Sequence, residues 1–355
     1  MPIPRAAHAV STPFGAALLF AALTATNIEA ARSVAGRLAP VLGFAAGMSV
    51  AVNLAAEAGV FDTLAGWVER ARHAFPAFLA LCVAVTVFLS LDTTAIMLTP
   101  LAVALARRTG ASVTALSLAV VWIANLASLP LPVSNLTNLL ALDAFGGTYG
   151  FLARSWAPAV LGVAVAAVAS YAARAIHPAD PATAPPRDAA VPRVPLLILA
   201  ATVVALLTPI PFWVTSTVAA AAMAAAVGVV KRPGLVPWNS LSLVVAVACA
   251  TELLPPFELD WPLPLAGAVL ANALNNLPAY LLLEPADATQ RMQLLVGVNF
   301  GPLVTPWASL ATLLWHDQLK RAGADVPWRV FVAYGAILAP VAVGLGALVV
   351  SPAGN

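Results

Sequence analysis

Apolar residues run along this chain in blocks near 20 residues long, separated by short polar or proline-containing gaps. A helix needs about 20 mainly apolar residues to cross the hydrocarbon core of a bilayer, so the blocks predict spans near 14–30, 34–56, 155–173, 194–209, 212–230, 238–254 and 330–349. After the second block the pattern changes. Phe61, Leu64, Trp67 and Val68 recur at helical spacing beside charges, which predicts an amphipathic helix lying in the membrane interface. Four further segments are apolar at their flanks and polar at their centres, and these carry the argument about what the chain does.

The first runs near 78–105 and is interrupted by Ser90, Asp92, Thr93 and Thr94. Basic residues flank both of its ends, Arg70, Arg72 and His73 before it and Arg107 and Arg108 after it. A single crossing would put one cluster outside, against the positive-inside tendency. A re-entrant hairpin keeps both in the cytoplasm, and its polar tip fits the rule that non-helical backbone at membrane depth is buried in protein or lines a cavity. A second segment of this kind lies near 262–283, with Asn272, Asn275, Asn276 and Pro278 at its centre. Its flanks are acidic, Glu258, Asp260, Glu284 and Asp287, so it is expected to open from the opposite side. Asn275 and Asn276 are expected to hold the place that Asp92 and Thr93 hold in the first.

Each hairpin is followed by a span that proline must break. In ANLASLPLPVSNLTNLL, Pro130 and Pro132 lack amide hydrogens, and Asn125, Ser134, Asn135, Thr137 and Asn138 surround the break. In NFGPLVTPWASLATLLWHD the polar residues are Asn299, Thr305, Ser309 and Thr312. Without a gap, Asn125 aligns with Asn299, Leu129 with Leu303, Pro132 with Pro306, Leu136 with Leu310, Leu139 with Leu313 and Leu140 with Leu314. An odd number of crossings between the copies turns the second over, the inverted repeat from which many secondary transporters are built. The expected fold is an all-α polytopic membrane protein of about nine spanning helices, two re-entrant hairpins and two broken helices. A first half over 1–173 and a second over 194–355 would be joined by a cytoplasmic Pro/Ala-rich linker at 174–193, with the amino terminus in the cytoplasm and the chain in the cell membrane.

Composition narrows the classes. Of 355 residues 61% are apolar and 9% charged, against roughly 25% charged in soluble chains. The formal charge of +2 is not gathered into a patch, which excludes a nucleic-acid partner. Cys82 and Cys249 stand alone in apolar runs, so neither a disulfide nor a metal site is expected. No cofactor motif and no nucleophile–base pair is present, so an enzyme is not expected; an intramembrane enzyme is the distant alternative.

Asp92 is the sharpest site candidate, because an ionisable group at membrane depth is functional by default. Low-dielectric surroundings favour the neutral form of a carboxyl, which makes Asp92 the candidate proton carrier. Thr93 and Thr94 could instead help hold sodium, since a hard cation takes oxygen ligands. The other amides and hydroxyls suit a neutral or weakly charged, oxygen-rich solute; taken singly, each is equally suited to bonding between helices. A carboxylate carrier would want cationic or helix-amino-terminal donors. Lys and Arg are taken to lie outside the spans, which favours the neutral solute.

The stretches LDTTAIMLTP, NLASLPLPVSNLTNLL, NALNNLPAYLL and NFGPLVTPWASLATLLW together resemble the arsenite/antimonite efflux permeases, the arsenical pump membrane protein family of the ion transporter superfamily. The resemblance implies efflux of arsenite or antimonite as the neutral hydroxide, in exchange for protons, by an elevator-like movement of a domain carrying both hairpins and both broken helices. Sodium or proton coupling to a carboxylate or other anion is the alternative within the same superfamily. An ATPase partner and a homodimer both remain open on the sequence.

Overall fold

The computed structural model describes residues 13–182, 191–228, 235–254 and 259–350, and every regular element in them is a helix. Glu258 and Arg187 lie outside the described residues.

Helix α1 (Pro13–Thr26) and α2 (Ile28–Glu57) are separated by one residue, Asn27, whose side chain accepts the Ala30 N–H at 3.0 Å and caps α2. The cap starts the second helix six residues earlier than its apolar pattern suggests. Helix α3 (Val60–Arg70) is the amphipathic segment. It buries Phe61 and Val68 and leaves Trp67 exposed, and it packs on α2 and on both arms of the first hairpin.

That hairpin consists of α4 (Ala74–Leu89), a reversal at Ser90, and a return through α5 (Leu91–Thr93), a π-helical turn (Thr94–Leu98) and α6 (Thr99–Thr109). Arg108, near its end, is ion-paired at 2.5 Å with Glu69, just before its start, so the segment finishes where it began. Next come α7 (Val113–Leu126), an unwound stretch containing the 3-10 turn Pro132–Ser134, α8 (Leu136–Ala141), the 3-10 turn Leu142–Phe145, and α9 (Thr148–Ile176). The linker begins by docking: the Asp180 carboxylate accepts the Val113 N–H at the start of α7 at 2.8 Å.

The second half contains α10 (Arg193–Ala205), α11 (Phe212–Val227) and α12 (Trp238–Leu253). Its hairpin is α13 (Leu263–Ala273) and α14 (Asn276–Leu283), followed by α15 (Ala288–Phe300), an unwound stretch, α16 (Leu310–Arg321) and α17 (Trp328–Val350). Helix α10 stops short of the expected 209 because Pro209 and Pro211 follow. The nine expected spans correspond to α1, α2, α7 with α8, α9, α10, α11, α12, α15 with α16, and α17. Three of these helices, α2, α9 and α17, are individually long and apolar enough to cross a membrane by length and composition.

Both breaks fall in matched register: the offset that pairs Leu126 with Phe300 at the last residues before them also pairs Leu136 with Leu310 at the first residues after. The copies run antiparallel. Trp315, late in the second broken helix, donates its indole N–H to the Ser117 carbonyl, early in the first, at 2.7 Å. Asn299, early in the second, bonds to Asn135 and Asn138, late in the first. The scaffold helices swap partners in the same way, α1 packing on α12 and α2 on α11.

Close approach is bought with small residues. A β-carbon on Gly47 would stand 2.7 Å from Ser216 Oγ of α11. Gly162 of α9 and Gly335 of α17 press on the two breaks, where a β-carbon would lie 2.1 Å from the Leu126 carbonyl oxygen and 1.7 Å from that of Leu303. The residues of α7 from Ala115 to Leu126 are all buried, so the first broken helix is the axis of the core.

Candidate functional site

A cavity of about 130 Å³ lies between α2, the tip of the first hairpin and the starts of α8, α12 and α16. Its polar lining is Ser49 and Asn53 from α2, Ser90, Asp92 and Thr93 from the hairpin, and Ser240 from α12; Met48, Met97, Val133, Leu136, Leu310 and Leu314 supply much of the apolar wall. Asp92 is its only titratable residue among the described ones, and no Lys or Arg lines it. Asp92 is partly exposed to this space, and among the described residues its carboxylate has no hydrogen-bond or ion-pair partner.

The backbone explains why Asp92 stands there. Ser90 turns the chain at φ 106°, a region that L side chains rarely adopt. Its hydroxyl then caps the returning arm, accepting from the Thr93 N–H at 3.4 Å. Thr93 donates its hydroxyl to the Leu89 carbonyl at 3.0 Å, and Thr94 bonds to Thr86 across the hairpin at 2.8 Å. The hydroxyls around Asp92 therefore shape the tip and leave the carboxylate unengaged. Leu310 brings the first turn of α16 to the same cavity, adding the positive end of a helix dipole.

The amides flanking the breaks are used differently. Asn299 Oδ1 accepts from Asn135 Nδ2 at 2.7 Å and from the Thr137 hydroxyl at 3.0 Å, while Asn299 Nδ2 donates to Asn138 Oδ1 at 2.8 Å. Asn138 in turn donates to the Ser128 and Leu131 carbonyls at 2.7 and 3.0 Å, spanning the first break. Ser134 accepts the Leu131 N–H and donates to the Val87 carbonyl at 2.8 Å. These buried side chains knit the two broken helices together. Asn125, the sequence counterpart of Asn299, does no such bridging; it donates to Val121 of its own helix at 2.9 Å. Ser309 and Thr312, which stand where Asn135 and Asn138 stand in the other copy, are buried with no partner for their hydroxyls among the described residues.

Asn275, Asn276 and Thr305 lie at the second hairpin. Asn275 donates to the Trp307 carbonyl at 2.9 Å, the Asn276 N–H to the Ala308 carbonyl at 2.8 Å, and the Thr305 hydroxyl to the Asn272 carbonyl at 2.6 Å. Of the sequence candidates, then, Asp92 and Thr93 line the cavity, and the others lie outside its lining.

Two expectations change. The residues that match at the hairpin tips are Ser90 and Asn275, the caps of the two returning arms. Asp92 therefore falls opposite Leu277, not Asn275, because the returning arms begin at Leu91 and Asn276. Cations are also present inside helices: Arg37 lies within α2 and Arg291 within α15, both paired with Glu284. Neither lines the cavity. Ser49 and Ser240, which do, carry no sequence signal beyond being small and polar in apolar runs.

A largely apolar cavity with one carboxylate, beside two helices broken in matched register, suits a secondary transporter, and the relatives of this chain fall in that class. The citrate transporter family model, CitMHS, matches residues 5–288, and the chain belongs to that family. It is also similar to proteins named arsenical pump membrane protein. That of Escherichia coli is 27% identical over 339 residues, with 79% of each chain covered. That of Yersinia enterocolitica is 27% identical over 342 residues and that of Escherichia coli strain K12 is 29% identical over 342 residues, again with 79% of each chain covered.

Proposed function

We propose that this transporter exports trivalent arsenite or antimonite as the neutral hydroxide, in exchange for protons carried by Asp92. The observation that carries the reading is the cavity: one unpartnered carboxylate, hydroxyls, an amide and apolar walls, with no cationic residue among its described lining. Such a lining can hydrogen-bond a small neutral oxyacid through Ser90, Thr93 and Asn53, while protonation of Asp92 removes a charge that is costly at membrane depth. The relatives' names point to the same solute. Asn135, Thr137, Asn138 and Asn299 hold the broken helices in place behind the cavity. We read residues 74–109 and 263–283 as re-entrant, and the domain bearing them as the part that moves, elevator-like, against α1, α2 and α10–α12.

A second reading, carriage of citrate or another carboxylate with protons or sodium, is favoured by the family's description. It has to place a polyanion beside Asp92 with only helix amino-terminal potential to hold it. Expression in arsenite-sensitive cells lacking their own pump separates the two. Arsenite accumulation falls if the chain exports it, and unchanged accumulation with measurable citrate flux makes the second reading the correct one.

A further inference from the structure

The central cavity has a neighbour. A second cavity of about 340 Å³ lies along α2 toward its amino-terminal end, lined by Arg37, Leu140 and Asp143 and by the α10–α11 turn from Thr208 to Trp213. Phe44 lines both cavities. It is 3% exposed, and its ring packs edge-on against Phe212 of α11 with centroids 6.3 Å apart. About two helical turns away, Arg37 is ion-paired with Glu284 at the end of the second hairpin and donates to the Leu140 carbonyl of α8 at 3.2 Å. Phe44 and Phe212 thus join α2 to α11 between the two cavities, and Arg37, bordering the second cavity, fastens α2 to α8 and to the end of α14.

We propose that the Phe44–Phe212 pair of the scaffold, latched to the moving domain by Arg37 with Glu284, forms a closed gate between the solute cavity and an outer vestibule, so that the structure is closed on its outer side. The inference rests on the transport reading and on a cytoplasmic amino terminus, under which α2 begins at the outer surface.

The charge arrangement suits a latch. Glu284 also receives Arg291 at 2.5 Å and the Tyr280 hydroxyl at 2.8 Å. It therefore keeps two partners if Arg37 leaves, and no carboxylate is stranded when the gate opens. Arg37 has the more exposed side chain, 35% against 12% for Glu284, and it borders the vestibule, where Asp143 offers a second carboxylate. Arg291 and Tyr280 travel with Glu284 on the hairpin side, whereas Arg37 belongs to α2. Of the three bonds to Glu284 only that of Arg37 crosses the moving boundary, and the Arg37 bond to the Leu140 carbonyl crosses it as well.

The test is accessibility. Cys82 and Cys249 are replaced by alanine, and single cysteines are placed in the cavity (Ser240→Cys) and in the vestibule (Thr208→Cys). Right-side-out cells are treated with a membrane-impermeant maleimide. The vestibule cysteine labels from outside and the cavity cysteine does not. Adding Phe44→Ala with Arg37→Ala shifts the population toward open forms and raises outside labelling of Ser240→Cys by about tenfold or more. Thr208→Cys keeps its rate, which shows that the protein is still folded; Glu284→Gln serves as the second opening variant if the double substitution fails to fold. Outside labelling of Ser240→Cys as fast as that of Thr208→Cys in the intact gate overturns the proposal, as does a rate that neither variant changes. Labelling needs no transported solute, so a gate response without arsenite flux would count against the substrate alone.

Discussion

The two hairpins share a backbone plan and spend their polar groups differently. At the second, Asn272 donates to the Gly301 carbonyl at 2.7 Å and accepts the Val304 and Thr305 N–H groups at 3.1 and 3.0 Å. Asn275, Asn276 and the Trp307 indole complete the staple between hairpin tip and break. At the first, the tie from tip to break is Ser134 to the Val87 carbonyl, and the one ionisable group is left facing a cavity. A buried polar group without a partner is costly, and a fold tolerates such groups chiefly where function needs them. On the proposed function the second hairpin is the brace and the first the working surface.

That contrast breaks most easily at Asn272. Asn272→Ala strands the Val304 and Thr305 amides, the Gly301 carbonyl keeping the Leu303 N–H, and is expected to lower stability by about 2–4 kcal/mol, at 1–3 kcal/mol for each abandoned amide after partial rehydration. Ser134→Ala, at the weaker tie, is expected to cost about 1–2 kcal/mol. Thermal unfolding in detergent compares them, and equal losses would erase the distinction. Gly335→Ala pushes a methyl into the Leu303 carbonyl and is expected to cost about 1–3 kcal/mol, the range for overpacking; α17 would lift off the second break, read as a lower midpoint in the same assay. The smallest effect has the opposite sign. Ser90→Gly relieves a positive φ at the first tip, loses the cap at a cost of only a few tenths of a kcal/mol, and is expected to stabilise by about 1 kcal/mol or less, whereas Ser90→Ala keeps the strain, loses the cap and destabilises.

Much of the architecture could be read from the chain. Proline placement and apolar block length pointed to two broken helices, and the ungapped match from Asn125 to Leu140 with Asn299 to Leu314 falls on the two helices that stop and restart at paired residues. The site was less legible. Asn135, Asn138 and Asn299 look alike in sequence to any cavity residue, and only their mutual geometry shows that they satisfy one another. The register of the second tip does not follow the polar pair Asn275–Asn276, because the turn is set by which residue takes the cap, Ser90 in one copy and Asn275 in the other. Arg37 lies inside the predicted span 34–56, but its partner, Glu284, is far away in sequence, and long-range ion pairs leave no local pattern.

The central claim is that the unpartnered carboxylate at the first tip couples solute movement to protons. The direct measurement is arsenite flux into inverted vesicles under an imposed pH gradient, for the parent and for Asp92→Asn. The account predicts gradient-driven accumulation in the parent and, in the variant, loss of its dependence on the gradient, with Asn272 and Asn299 untouched and the protein still folded. Undiminished gradient-driven accumulation in Asp92→Asn would contradict it.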